Sequence, residues 1–274
     1  MHSLNCKGRL LEWQDPIVMG IINITPDSFY AGSRMQSEEN LLRQTEKMMS
    51  EGATILDIGG LSSRPGAEEI SVDAEMQRVI PAIEFIVNRF PAMLLSVDSY
   101  RYKVAEAALQ AGACIINDIG VGNEELGELA ASYRAPYICM HSRGNPRTMS
   151  QLTGYDDLVT EVLDFFIERK ASLNRMGVHD LIMDPGFGFA KTIPQNFLLL
   201  KKLRLLKIPE IPILVGLSRK ASVYKTLDIT AHDSLNGSTV LHTLALENGA
   251  DILRVHDVKE AVEVIRLWTS YAGA

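Results

Sequence analysis

Cysteine is scarce in this sequence, and long apolar runs do not occur in it. The 274 residues include three cysteines, Cys6, Cys114 and Cys139, and the last two lie within apolar segments. An odd number of thiols argues against a disulfide framework and is typical of a reducing compartment. The opening segment MHSLNCKGRLLEWQDP lacks the apolar core of a signal peptide. No apolar run approaches the roughly 18 residues of a membrane helix, so we predict a cytoplasmic protein without a membrane partner.

Basic residues are fewer than acidic residues in this sequence. Lys and Arg number 27 against 34 Asp and Glu, which gives a formal net charge of -7 and an isoelectric point of about 5.4. A chain with this balance has no general field that attracts nucleic acid or an anionic membrane. We therefore expect no nucleic-acid partner, and an anionic substrate would need a local cluster of basic residues.

The chain has no low-complexity tract and no linker rich in Pro, Gly or Ser, which predicts one domain over residues 1–274. Short apolar runs recur eight times instead, at 17–23, 54–60, 93–99, 114–120, 136–141, 181–186, 212–218 and 251–257. Such runs are typical of strands buried on both faces of a parallel sheet. Helical periodicity appears between them, at 37–51, 101–111, 155–176, 195–206, 233–248 and 258–269.

This alternation predicts a single TIM (β/α)8 barrel, although an open doubly wound sheet could use the same order of elements. A short N-terminal extension precedes the first predicted strand, and we expect it to cover the bottom of the barrel.

Polar residues follow every apolar run. They are Asn23, Asp57, Asp98, Asn117 with Asp118, His141, Asp184, Ser218 with Arg219 and Lys220, and Arg254 with His256. Helix capping and turn formation could explain any one of them. Capping does not explain Arg and Lys at the last two strands, where barrels often bind phosphate. The pattern therefore predicts an active site at the carboxyl ends of the strands.

Seven segments closely resemble, in order, the motif set of the dihydropteroate synthase family of pterin-binding barrels. They are MGIINITPDSFYAGSR (19–34), DIGGLSSRPGA (57–67), SVDS (96–99), NDI (117–119), DPGFGFAK (184–191), GLSRK (216–220) and RVHD (254–257). The chain departs from the family at Leu61, Ser63 and Ala190, where Glu, Thr and Gly are usual, and in the first loop, SFYAGSR.

The resemblance implies a role for each motif residue. The implied pterin ligands are Asp98, Asn117, Asp184, Lys220 and Arg254. The implied diphosphate ligands are Asn23, Arg64, Arg254 and His256, with Asn23 also a ligand of Mg²⁺. The implied aminobenzoate slot is formed by Ser63, Pro65, Phe189 and Ser218. The catalytic group is then Arg64, Lys220, Arg254 and His256.

The chemistry of these residue types agrees with that assignment. A buried carboxylate can accept two parallel hydrogen bonds from the guanidine-like edge of a pterin, and arginine offers a fork that matches phosphate oxygens. The implied reaction is a transfer in folate biosynthesis, in which 4-aminobenzoate displaces diphosphate from hydroxymethyl-dihydropterin diphosphate. No strong general base and no covalent enzyme intermediate are required. The family also implies a homodimer, formed through helices on the outside of the barrel, and a target for sulfonamides.

Three other functions remain open at this point. A related barrel could transfer a methyl group from methyltetrahydrofolate to a corrinoid protein, although the RPGA and SRK segments favour the synthase. Lys220 could form a Schiff base in an aldolase, but its neighbour Arg219 makes anion binding more natural. The chain could also bind a pterin without turnover, for which the altered first loop is a hint.

Overall fold

The computed structural model describes residues 1–24, 34–61, 70–120, 122–145, 147–208 and 210–274. The chain opens with an antiparallel hairpin of β1 (His2–Cys6) and β2 (Arg9–Trp13). Eight parallel strands follow: β3 (Ile17–Asn23), β4 (Ile55–Gly59), β5 (Leu94–Asp98), β6 (Ile115–Asp118), β7 (Tyr137–Met140), β8 (Leu181–Asp184), β9 (Leu214–Val215) and β10 (Ile252–Val255).

The eight parallel strands form the barrel that the sequence predicts. Their hydrogen-bonded order is β8-β7-β6-β5-β4-β3-β10-β9. A parallel bridge between Met183 and Ile213 then joins the two ends of this sheet. The alternative of an open sheet was wrong, because neighbouring strands meet around the whole ring.

Helices of the described ranges surround the strands. They are α1 (Arg34–Glu51), α2 (Val72–Arg89), α3 (Tyr102–Ala111), α4 (Glu124–Tyr133), α5 (Leu158–Met176), α6 (Ile193–Lys201), α7 (Ala221–Tyr224), α8 (Leu235–Glu247) and α9 (Val258–Ala272), with short 3₁₀ turns at Met149–Gln151 and Leu203–Leu206. Helices α2, which contains Pro81, and α4 were not among the segments with predicted helical periodicity. Within the described ranges, no helix is both long and apolar enough to cross a membrane.

The N-terminal extension covers the bottom of the barrel, as expected, but it does so as a hairpin. Leu4, Cys6 and Trp13 pack against residues at the start of the barrel strands, among them Ile55 and Ile252. The two strands of this hairpin were not among the eight predicted strands. The reason is that exposed polar positions interrupt both hairpin strands, so neither forms a continuous apolar run.

Candidate active site

The interior of the barrel changes from apolar to polar along the strands. Its lower layer contains Ile55, Ile115, Ile182 and Ile252. Two residues further along the same four strands stand Asp57, Asn117, Asp184 and Arg254. Because strand side chains alternate with a period of two, both sets point to the inside of the barrel. The interior side chains therefore form an apolar layer in the lower part of the barrel and a polar layer above it, at the carboxyl ends of the strands.

Arg254 lies at the centre of the polar layer. Its Nε donates to Asp57 Oδ2 at 2.6 Å, and its Nη2 donates to Asp98 Oδ2 at 2.5 Å. Asn117 Nδ2 also donates to Asp57 Oδ2, at 2.9 Å. Burial alone would lower the pKa of the Arg254 guanidinium, but Asp57 and Asp98 raise it above its usual value. Three of the predicted ligands, Arg254, Asp98 and Asn117, are thus joined with Asp57 in one hydrogen-bonded network.

Three buried acceptors of this network have no hydrogen-bond partner among the described residues. They are Asp57 Oδ1, Asp98 Oδ1 and Asn117 Oδ1. Leaving a buried polar atom unsatisfied typically costs about 1 to 3 kcal/mol, so native folds keep such atoms for a reason. Acceptors clustered at the mouth of a barrel suit a ligand that presents several N–H donors.

Two carboxylates at the mouth of the barrel, Asp98 and Asp184, resist ionisation because they are buried. Burial raises the pKa of Asp98 to about 7, against the opposing charge of Arg254. Burial also raises the pKa of Asp184, and the positive charge of Lys220 acts in the other direction by lowering it. Strong shifts of this kind, in groups that converge on one cleft, are typical of functional sites.

The structure also tests whether Asp98 and Asp184 only cap or turn the chain. Helix α3 begins after Arg101, and no side-chain capping bond is present there, so Asp98 is not its cap. Asp184 does accept the N–H of Gly186 through Oδ1, at 2.8 Å. Asp184 therefore supports the turn after β8 while it faces the barrel interior.

Lys220 faces the loop that follows β8. Its Nζ donates to the carbonyl of Phe187 and lies 4.7 Å from the ring centre of Phe189. Burial lowers the pKa of Lys220 to about 8, and the carboxylate of Asp184 opposes this shift. The structure thus brings the predicted pterin residue Lys220 next to the predicted aminobenzoate residue Phe189.

Ser218 and His256 form a second pair at the strand ends. Ser218 Oγ and His256 Nδ1 are 3.0 Å apart, and Ser218 Oγ also accepts the backbone N–H of His256 at 3.2 Å. The resemblance assigns Ser218 to aminobenzoate and His256 to diphosphate. Their contact means that Ser218 also orients the His256 ring.

Some strand-end residues point away from the barrel interior. Arg219 forms a bidentate pair with Asp257, with both N–O distances at 2.8 Å. Asp118 accepts from the hydroxyl of Tyr137 and from the N–H of Gly120. These two residues stabilise loops. The pattern of polar residues at strand ends therefore predicts more site residues than the structure places in the barrel interior.

Other predicted positions stand apart from the network. Asn23 ends β3 with an exposed side chain, and Leu61 is half-buried. The predicted ligands Ser63, Arg64 and Pro65 lie outside the described residues. Ala190 has a φ of 49°, in the left-handed region, which explains why glycine is usual there.

Asp57 was not among the predicted ligands, although it accepts hydrogen bonds from both Arg254 and Asn117. The signal was present, because Asp57 lies two residues after the inward-facing Ile55 and breaks a continuous apolar strand. A charge at a position buried on all sides needs a partner, and that partner is Arg254.

A β/α barrel that gathers carboxylate, amide and cationic side chains at the carboxyl ends of its strands has the arrangement of an enzyme active site. Comparison with known proteins agrees with this class. The model of the pterin binding enzyme family matches residues 19–256. Dihydropteroate synthase of Escherichia coli strain K12 is 42% identical over 268 residues, which cover 97% of this chain and 95% of that protein.

Solved structures give the same result. The dihydropteroate synthase of Yersinia pestis, solved with a sulfonamide drug, superimposes with a TM-score of 0.92 at 39% identity, over 99% of this chain and all of that one. The Xanthomonas albilineans enzyme in complex with 7,8-dihydropteroate gives a TM-score of 0.87 at 36% identity, over 99% of each chain. The chain belongs to the dihydropteroate synthase family, transferases of folate biosynthesis.

Proposed function

We propose that this chain condenses 6-hydroxymethyl-7,8-dihydropterin diphosphate with 4-aminobenzoate to give 7,8-dihydropteroate and diphosphate. The observation that carries the proposal is the group of unpartnered acceptors on Asp57, Asp98 and Asn117, held beside the Arg254 guanidinium. Family membership supplies the reaction, and this group supplies the surface that would recognise a pterin.

The pterin binds with its N–H edge toward the acidic residues of the polar layer. Asp98, Asn117 and Asp184 accept from the ring, and Lys220 donates to a ring acceptor. The raised pKa values of Asp98 and Asp184 reflect burial, which a ligand's N–H donors would offset by stabilising the ionised carboxylates. The neutral amide of Asn117 adds an acceptor to this edge without a third charge.

The leaving diphosphate binds at Arg64, Arg254 and His256. The arylamine nitrogen attacks the methylene carbon beside the ring, a C–N bond forms, and the C–O bond breaks with its electron pair leaving on diphosphate. The proton of the amine passes to solvent. Cations fixed in place before the reaction stabilise the charge that develops on the leaving oxygen. The contact between Ser218 and His256 keeps the histidine ring oriented for that task.

Mg²⁺ is the proposed metal, with Asn23 as its protein ligand. A carbon atom placed as a Cβ on Gly59 would lie 3.5 Å from Asn23 Oδ1 and 3.4 Å from Asp98 Oδ2, so the Asn23 amide oxygen faces the mouth of the barrel. Among the described residues, no three His, Cys, Asp or Glu side chains form a metal cage. A single amide oxygen fits Mg²⁺, which keeps several waters and shares substrate phosphates. When bound, the ion neutralises charge on diphosphate.

The 4-aminobenzoate slot lies at Phe189, with Ser63, Pro65 and Ser218. Phe189 is half-buried at the edge of the pterin site, where its ring faces Lys220. The hydrogen bond from Lys220 to Phe187 and the nearby charge of Asp184 support a role in binding rather than as a Schiff-base lysine. A sulfonamide that mimics the arylamine would compete for the same slot.

The chain is proposed to act as a homodimer. Exposed apolar side chains lie on α6 and α8 and after α7, and α8 contacts both of the other helices. They are Leu198, Leu227, Val240 and Leu244. A second copy of the chain would cover this face. The three buried free cysteines support a reducing cytoplasm as its location.

Growth complementation tests the proposed function in a living cell. The chain is produced in a bacterium whose own dihydropteroate synthase gene has been deleted and which therefore needs products of folate metabolism in the medium. We expect growth without that supplement. An Arg254→Ala variant made at the same level serves as the control. If the intact protein accumulates but growth does not return, the proposed function is wrong.

A further inference from the structure

Lys191 lies at the end of the loop that follows β8, and it is 7% exposed. Its Nζ is 2.9 Å from His141 Nδ1, 3.1 Å from the carbonyl of Gly186 and 3.1 Å from the carbonyl of Phe189. The carbonyl of His141 is more distant, at 3.4 Å. This residue belongs to none of the substrate contacts proposed above.

The three short contacts match the hydrogen-bonding capacity of an ammonium group. A lysine Nζ has three N–H donors and no acceptor when charged, and each donor finds one acceptor here. Burial, and then the charge of Lys191, lower the pKa of His141 to about 3, so the ring is neutral and Nδ1 can accept. The direction of the contact is therefore fixed, with Lys191 as the donor and His141 as the acceptor.

The loop between Asp184 and Lys191 adopts a conformation that needs such restraint. A Cβ on Gly186 would lie 1.9 Å from the carbonyl oxygen of His141, so the backbone of the loop passes directly over the end of β7. Ala190 has a left-handed backbone, with a φ of 49°, which is strained for a residue other than glycine. The hydroxyl of Tyr155 adds one tether, to the carbonyl of Ala190 at 3.0 Å.

This loop carries groups from both halves of the proposed site. Asp184 begins it, and its Oδ1 accepts the N–H of Gly186, the residue whose carbonyl Lys191 holds. Phe189 lies near its end, and Lys191 holds the Phe189 carbonyl directly. Lys220 contacts the loop from the pocket side, through the carbonyl of Phe187. The loop thus lies between two lysine side chains, one behind it and one in the pocket.

We propose that Lys191 is a positioning residue that fixes Phe189 and the turn after Asp184 for binding of the arylamine and the pterin. The inference rests on the proposed function, and Lys191 acts through the loop without touching a substrate. Burial lowers the pKa of Lys191 to about 7, so the ammonium form that donates to three acceptors carries a cost in free energy that an apolar side chain would avoid. A residue that only filled space would not need that charge.

The test compares Lys191→Met with Lys201→Met, a control at an exposed lysine of α6. Methionine keeps the unbranched shape and removes all three donors. We expect the KM for 4-aminobenzoate to rise about tenfold and the affinity for bare pterin to fall several-fold, as for the loss of a charged hydrogen bond. The kcat should fall less than about threefold, because Arg254 lies on β10 and His256 directly after it, and neither belongs to the loop that Lys191 holds. Lys201→Met should match the unmodified chain.

A structural role for Lys191 predicts a different result. If Lys191→Met lowers the melting temperature but leaves the KM for 4-aminobenzoate and the pterin affinity within twofold of the unmodified chain, the inference is wrong. If Lys191→Met does not fold, the His141→Phe variant tests the inference instead. It removes the Nδ1 acceptor of Lys191 and leaves the lysine in place. We expect His141→Phe to raise the KM for 4-aminobenzoate in the same direction, and an unchanged KM overturns the inference. Absence of turnover by the unmodified chain would instead reject the proposed function.

Discussion

Arg254 and Asp98 meet across the mouth of the barrel, with 2.5 Å between Nη2 and Oδ2. The first residue is a proposed ligand of diphosphate and the second a proposed ligand of the pterin ring. Asp57 contacts the same guanidinium from below. The proposed ligands of the two halves of the substrate therefore share one charge network, so we expect a substitution in either half to affect binding of the other.

The network predicts that Arg254 and Asp57 are coupled in stability. Removing one partner of a buried ion pair typically costs about 3 to 5 kcal/mol, because it leaves the other charge uncompensated. We expect Arg254→Met to lower the free energy of unfolding by an amount of that order, and Asp57→Asn to recover part of the loss when the two are combined. Urea denaturation of both single variants and the double variant measures the coupling.

Strictly additive effects of the two substitutions would show that Arg254 and Asp57 do not interact in the folded protein. The same variants should also be tested for substrate use. Because Arg254 holds Asp98, Arg254→Met should weaken bare pterin as well as the diphosphate substrate. The diphosphate substrate should lose more, since it also loses a direct charged contact.

Asp184→Asn should weaken pterin binding by about 2 kcal/mol or more, because an amide nitrogen would face the N–H donors of the ligand. The fold should survive, since the amide oxygen of asparagine can still accept the N–H of Gly186. Calorimetry with a pterin lacking diphosphate measures the effect. Asp164→Asn, at an exposed position of α5, is the matched control. An affinity equal to that of the control would refute the assignment of Asp184.

Pterin binding should depend on pH through Asp98. The pKa of this carboxyl rises from 3.8 to about 7 in the folded chain, so it is protonated below about pH 7 and cannot accept at both oxygens. We expect the affinity for bare pterin to increase as pH rises through about 7, and Asp98→Asn to flatten that part of the profile. An unchanged profile in the variant would assign the dependence to another group.

The free energy of unfolding of the ligand-free chain should fall as pH rises, whereas pterin affinity should increase. A carboxyl with a raised pKa binds protons more tightly in the folded state, so its ionisation lowers the free energy of unfolding as pH rises from about 4 to 7. Asp98→Asn should reduce this slope. Urea denaturation across the same pH range provides the measurement, and a slope that persists in full would contradict the role given to Asp98.

Turnover should need Mg²⁺ even though the free chain binds the metal weakly, because diphosphate and water supply most of the ligands. Asn23→Ala should raise the Mg²⁺ concentration needed for half-maximal rate. Asn174→Ala, at an exposed position of α5, should not. Full activity in excess chelator, or tight stoichiometric Mg²⁺ binding without diphosphate, would contradict this part of the account.

Much of the fold could be predicted from the sequence, because eight buried strands leave eight continuous apolar runs. The strand from 17 to 23 has the bounds predicted for it, whereas the run at 212–218 contains only a two-residue strand, Leu214–Val215. A short strand leaves no distinct signal when apolar loop residues flank it. The hairpin was missed for the opposite reason, since its exposed positions dilute the apolar pattern.

The site was harder to predict, because a strand end does not reveal which way a side chain points. Arg219 and Lys220 are adjacent in sequence, yet Arg219 pairs with Asp257 and Lys220 faces the pocket. Contacts between segments that are distant in the chain could not be predicted from the sequence either. Lys191 and His141 stand 50 residues apart in the chain, and no local pattern indicates that they meet.

The most direct test of the account follows the bond that breaks. The purified chain is mixed with Mg²⁺, 4-aminobenzoate and the pterin diphosphate labelled with ¹⁸O in the oxygen that joins the methylene carbon to phosphorus. We predict equal molar amounts of dihydropteroate and diphosphate, with the label in diphosphate, because the C–O bond is the one that breaks. Substrate that binds but yields no dihydropteroate would contradict the central claim, and label retained on the pterin would contradict the proposed mechanism.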